Sequence, residues 1–213
     1  MARILENHPN IQGLHEVGFW KGNLYVVREL LEGRGLQEHL EDKPLSVKQS
    51  LDYALQITRV LSVTHERGIV HGDLKPTNVT ISLEGCVKII GFGKRFPPPT
   101  LDAKVSTVLK FSEYSAPEQL LEEKWDYRAD IFAFGIMLYE MLTGAHPFRR
   151  DSRAKTARAI FQDDPPAPSA IDHEIPRGFD LLVQSCLAKN RAKRFHSTRG
   201  LVAELEALSE ECS

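Results

Sequence analysis

From Asp130 to Leu142 the chain reads Asp-Ile-Phe-Ala-Phe-Gly-Ile-Met-Leu-Tyr-Glu-Met-Leu, which puts apolar side chains on most faces of a helix. A helix without a polar face has to be enclosed by other elements. This stretch therefore dictates a central buried helix with the rest of the fold wrapped around it. Its most apolar part, Ile131 to Tyr139, is far too short to span a bilayer, so the enclosure must be protein. The composition can supply one: 42% of the 213 residues are apolar and 26% charged, enough for one good-sized globular domain. A formal net charge of -2 gives no basic surface for nucleic acid or an anionic membrane, and neither is expected as a partner. Cys86, Cys186 and Cys212 lie far apart and form no C-x-x-C pair, which argues against a disulfide framework or a zinc site and fits a reducing, cytoplasmic setting. The first residues show no basic segment leading into an apolar run, so no secretion signal is read there.

The remaining pattern is a short strand region followed mostly by helix, an α+β arrangement. Leu14 to Phe19 and Leu24 to Val27 read as strands joined at Lys21-Gly22-Asn23. Ser46 and Gln49 match an S-x-x-Q capping box, and Leu51, Ala54, Leu55, Ile57 and Leu61 continue at helical spacing until Gly68. Val79 to Ile81 and Val87 to Ile90 read as a second hairpin around Glu84-Gly85. Pro97-Pro98-Pro99 and Asp164-Pro165-Pro166-Ala167-Pro168 read as loops, since proline continues neither a helix nor a central strand. From Phe179 onward helices alternate with basic turns.

The segment richest in chemistry is His71-Gly72-Asp73-Leu74-Lys75-Pro76-Thr77-Asn78. A base, a cation and an amide two and three residues apart can converge on one phosphate. Asp73 would accept or orient a hydroxyl proton, Lys75 would neutralise charge on a transferring phosphoryl group, and Asn78 would offer an oxygen to Mg²⁺, a hard cation. The competing reading is a polar turn stiffened by Pro76.

This loop resembles the catalytic loop of protein kinases. The resemblance runs from about His8 to the end of the chain. His8-Pro9-Asn10-Ile11 is similar to the approach to the fourth strand of the family's N-lobe. Asn23 to Gly33 is similar to its fifth strand and hinge, which implies that Glu29 and the backbone of Leu31 face adenine, with Thr80 beneath the ring. Tyr114-Ser115-Ala116-Pro117-Glu118 resembles the close of the activation segment, the run from Asp130 to Gly135 the anchoring helix, and Leu142-Thr143-Gly144 with Pro147-Phe148 its exit. Lys193-Arg194-Phe195 resembles the segment whose arginine pairs with the glutamate of Ala-Pro-Glu, which implies a buried Glu118–Arg194 ion pair. Lys75 and Ser112 resemble the Ser/Thr-specific group. Small-molecule kinases of the aminoglycoside type share a His-Gly-Asp loop but lack an Ala-Pro-Glu segment. The implied fold is protein-kinase-like, with residues 1–32 an N-lobe remnant and 33–213 the helical C-lobe, and the implied cofactors are ATP and Mg²⁺.

Several residues depart from the family pattern. The sequence contains no glycine-rich loop and no Val-Ala-Ile-Lys strand, so the N-lobe is expected to be truncated. The metal-binding Asp-Phe-Gly reads Gly91-Phe92-Gly93, and nothing in the sequence pattern points to a substitute carboxylate such as Asp102. Arg28 stands where the resemblance puts a residue beside adenine, where it would need to be desolvated or paired. Gly72 replaces the arginine before the catalytic aspartate, so Ser106 and Thr107 are read as a flexible loop rather than an ordering phosphosite. His65 and His146 are read as satisfied histidines, not ligands. Two functions remain open: a catalytically impaired kinase-like domain that binds a protein partner or itself through the N-lobe edge, or a Ser/Thr protein kinase whose N-lobe comes from upstream sequence or another chain.

Overall fold

The computed structural model describes residues 8–42, 44–92, 112–121 and 124–211. Gly93, Pro97 to Pro99, Asp102, Ser106, Thr107 and Cys212 lie outside the described residues. The fold is α+β, as the sequence implies. Two antiparallel strands, β1 (Leu14–Trp20) and β2 (Asn23–Arg28), pair Gly18 opposite Tyr25 and Trp20 opposite Asn23. A second antiparallel sheet runs β3 (Arg34–Gly35), β4 (Val79–Ile81), β5 (Val87–Ile89), with β4 in the middle. Ile11 bridges to Ile89 and joins the N-terminal segment to this sheet.

The helices follow in chain order: α1 (Leu36–Asp42), α2 (Val47–His65), α3 (Pro117–Leu120), α4 (Arg128–Thr143), α5 (Arg153–Gln162), α6 (Pro168–Ile171), α7 (Gly178–Cys186) and α8 (Thr198–Glu211). The central helix of the sequence reading is α4, and every residue from Ala129 to Leu142 is buried. Helix α7 packs against it at Gly135, where an added Cβ would lie 2.6 Å from the Cys186 Cβ. Glycine at that position is what allows the two helices to approach so closely. The helix stops at Gly144, whose φ of +72° ends it in the left-handed conformation. It starts two residues before the apolar run because Asp126 accepts the Arg128 N–H at 2.9 Å and organises the first turn. The capping box of α2 forms as expected: the Ser46 hydroxyl accepts the Gln49 N–H at 3.2 Å. Helix α8 lies along α2, and the exposed Arg59–Glu206 pair spans the two helices.

The β1–β2 pair stands apart from this core. Every β2 residue is exposed, and Phe19 and Trp20 are 75% and 69% exposed. Among the described residues no helix is long and apolar enough to cross a membrane.

Candidate functional site

The first turn of α4 sets the site. Asp130 is buried, and its two carboxylate oxygens accept the backbone N–H of His71 at 2.7 Å and of Gly72 at 2.8 Å. One of those oxygens also lies 2.8 Å from His65 Nε2, while His65 Nδ1 reaches the Thr198 hydroxyl. A buried carboxylate needs several hydrogen bonds to offset desolvation, and these supply them. Gly72 has a φ of +76°, which a side chain rarely adopts, and its carbonyl accepts from Gln119 Nε2 at 3.0 Å. The His71 ring bridges two segments: Nε2 donates to the Ile90 carbonyl at 3.0 Å and Nδ1 accepts the Asp73 N–H at 3.2 Å. It meets the Phe92 ring in a T-shaped contact at a centroid distance of 4.7 Å.

This backbone brings the sequence candidates together. Lys75 Nζ lies 3.0 Å from Asp73 Oδ2. Asn78, at the end of the 3₁₀ turn Pro76–Asn78, donates from Nδ2 to the Asp73 carbonyl at 2.8 Å and more weakly to Oδ2 at 3.4 Å. With the amide nitrogen committed to Asp73, Asn78 Oδ1 remains the group able to meet a cation. Ser112 and Asp73 line one small cleft with Gly72 and Gln119, and the Ser112 hydroxyl accepts the Tyr114 N–H at 3.3 Å.

Behind this cleft, Arg194 grips Glu118 through two bonds of 2.6 and 2.9 Å, with both side chains buried. Its guanidinium also donates to the carbonyls of Ala188, Arg128 and Lys189, and it stacks over Phe132 at 4.8 Å. The ion pair implied by the resemblance is present, with three carbonyls that sequence reasoning missed.

A family model described as "Protein kinase domain" matches residues 1–204. The chain belongs to the protein kinase family. Among curated relatives, it is similar to a probable serine/threonine-protein kinase of Clostridium perfringens, at 30% identity over 96% of this chain and 30% of the relative. It is 38% identical to the serine/threonine-protein kinase PksC of Streptomyces coelicolor over 88% of this chain and 34% of the relative. With the serine/threonine-protein kinase PknL of Mycobacterium tuberculosis it shares 34% identity over 99% of this chain and 53% of the relative. The chain spans about a third of the length of the first relatives it matches.

In this kinase-family domain Glu29, which the resemblance would place beside adenine, is engaged by the chain itself. The Glu29 carbonyl accepts from Gln12 Nε2 at 3.0 Å. The Glu29 carboxylate accepts the Gly13 N–H at 2.9 Å and pairs with Lys88 Nζ at 2.6 Å. These contacts, the Gly13 N–H first, hold its carboxyl below the usual range. Lys88 sits directly opposite Thr80 in the β4–β5 register, so their side chains share a face of the sheet. Leu31 is partly buried and Leu30 exposed. Lys88 could have been suspected from its place between buried Val87 and Ile89; nothing in the sequence pattern signals Gln12. Arg28 differs from expectation: it is exposed at the end of β2, so it is not desolvated.

Among the described residues, those at this cleft do not fit a kinase magnesium centre. Gly91, with a φ of +93°, has no side chain at the position before Phe92. Asn78 Oδ1 would be left as a weak ligand for an ion that dehydrates reluctantly.

Proposed function

We propose that this kinase-family domain acts mainly by binding and transfers phosphate slowly if at all. The observation that carries the reading is Gly91, where the expected metal ligand is missing. Metal stabilisation of transition-state charge is worth several kcal/mol, and a loss of about 4 kcal/mol slows a reaction roughly 10³-fold. Asp73 cannot make up the difference, because a general base contributes only about 10²–10⁴ once the phosphate is held in place. The Gln12 bond to the Glu29 carbonyl supports the same reading, since adenine would have to displace it.

The test is thermal unfolding of the domain with millimolar ATP, with and without Mg²⁺. A ligand at about 100 times its dissociation constant stabilises by about 2.7 kcal/mol. No magnesium-dependent shift is expected, and a clear one overturns the reading. Gly91→Asp separates causes, because aspartate tolerates positive φ better than most residues. Phosphotransfer restored by this change alone would identify the metal ligand as the lesion. Lys75 and Asn78 in contact with Asp73, and Ser112 beside Asp73 in one small cleft, favour the second reading, a Ser/Thr protein kinase completed by other sequence.

The partner surface in this proposal is the β1–β2 pair. Among the described residues no third strand joins it, so its edges are open to backbone pairing, and its faces carry Val17, Phe19, Trp20 and Leu24 in the open. A protein partner or a second copy is expected to add a strand there. Light scattering at tens of micromolar checks self-association: Phe19→Lys with Leu24→Lys should reduce any oligomer to monomer. The free thiols of Cys86 and Cys186 fit a reducing cytosol.

A further inference from the structure

Glycine restrains its own backbone less than any other residue, and Gly72 stands directly before Asp73 with a φ of +76°. The peptide group that joins the two carries the Gly72 carbonyl at one edge and the Asp73 N–H at the other, and it moves as a rigid plane. The tilt of that plane governs where the Asp73 side chain emerges. Both edges are held from outside. His71 Nδ1 accepts the Asp73 N–H at 3.2 Å, and Gln119 Nε2 donates to the Gly72 carbonyl at 3.0 Å.

Gln119 belongs to a distant part of the chain. It is the third residue of α3, and its Oε1 accepts the Ala116 N–H at 3.0 Å, which caps that helix. The two partners settle the orientation of the amide, since a carbonyl needs a donor and an N–H needs an acceptor. Capping by itself does not call for glutamine. Glutamate at the third position reaches back to the cap N–H equally well and suits the positive end of a helix better. What the amide adds is the ability to donate at the same time. The residue before it, Glu118, is bound twice by buried Arg194, so the amide projects from a fixed base.

We infer that Gln119 is a positioning residue for Asp73. It acts through the Gly72 carbonyl, and it ties the orientation of the Asp73 carboxylate, 3.0 Å from Lys75 Nζ, to the seating of α3 on the lobe. Because the tie joins an uncharged side chain to a backbone carbonyl, it needs no phosphate on the chain. Phosphotransfer is not required for it to be measured.

NMR on the isotope-labelled full chain tests this. In the parent, one Nε2 proton of Gln119 should exchange slowly with solvent; a fully unprotected side-chain amide would overturn the inference before any substitution is made. Gln119→Glu keeps the acceptor for Ala116 and loses the donor to Gly72. It should move the Gly72 carbonyl carbon resonance upfield and speed exchange of the Asp73 N–H about fivefold, as expected for the loss of one hydrogen bond. The Ala116 N–H should exchange as in the parent. Gln119→Met loses both bonds, so the Ala116 N–H should then exchange faster as well; this variant decides the matter if the glutamate variant does not fold. A residue that merely caps α3 would behave otherwise. Gly72 and Asp73 signals that stay at their parental values in Gln119→Glu overturn the inference, and so does a folded Gln119→Met in which Ala116 alone responds.

Discussion

Glu118→Ala should lower the stability of this domain by about 3–5 kcal/mol, the usual consequence of removing one partner of a buried ion pair. The size of the effect comes from what is left behind. Arg194 is fully buried and cannot reach water, so its charge would lose the one carboxylate it meets. With a urea m-value of about 3 kcal/mol per M, the unfolding midpoint should fall by roughly 1–2 M. Glu118→Ala combined with Arg194→Met should recover part of the loss, because no unpaired charge then remains. Recovery should be incomplete, since methionine cannot satisfy the carbonyls of Ala188, Arg128 and Lys189 that Arg194 now serves. An unchanged midpoint in the single variant would mean that the activation-segment end does not dock as described.

The second large effect is an acid transition that depends on His146. This ring is buried, its Nδ1 accepts the Phe148 N–H at 3.1 Å, and its Nε2 has no partner among the described residues. Burial first, then Arg149 and Arg150, push its pKa down to about 3. Between that value and the ordinary 6.5 the unfolded chain binds a proton that the folded chain refuses. Stability is therefore full above about pH 6.5 and falls as the pH drops towards 3, by about 4–5 kcal/mol in all at 1.36 kcal/mol per unit. Glu140, bonded to the Tyr114 that packs on the His146 ring and to Arg149, has a raised pKa and works in the opposite direction over its own range. Subtracting a variant isolates the histidine. His146→Asn retains the bond to the N–H two residues on as an Asx turn but does not titrate. Urea midpoints at pH 7, 5 and 3.5 should show the parent losing more stability than the variant on acidification. Parallel losses would rule out a neutral buried His146.

How much of this was legible beforehand depends on the range of the interaction. The central helix could be read because thirteen consecutive residues, Asp130 to Leu142, carry the information themselves. The capping box of Ser46 and Gln49 is equally local. Asp73, Lys75 and Asn78 converge because one turn holds them, and the spacing showed that directly. The Glu118–Arg194 pair spans 76 positions and was accessible through family resemblance alone. Arg28 was misjudged because its burial depends on what covers β2, a question no local pattern answers. The Gln12 bond to Glu29 and the unpartnered Nε2 of His146 escaped for the same reason: a hydrogen-bonding group looks alike in sequence whether its partner is protein or water.

The hold that Asp130 has on the His71 and Gly72 amides carries a wider consequence. The loop is shaped from below, by a carboxylate on the buried central helix, through contacts that need no nucleotide or metal. Its outline is thus a by-product of folding. A lineage that stopped using the reaction would still have to preserve Asp130 and the turn at Gly72 simply to remain soluble and folded, while Gly91, which supports no such contact, could drift. In this architecture a well-formed catalytic loop testifies to an intact foundation, and the side chains beyond that foundation are the ones that record whether the chemistry is still under selection.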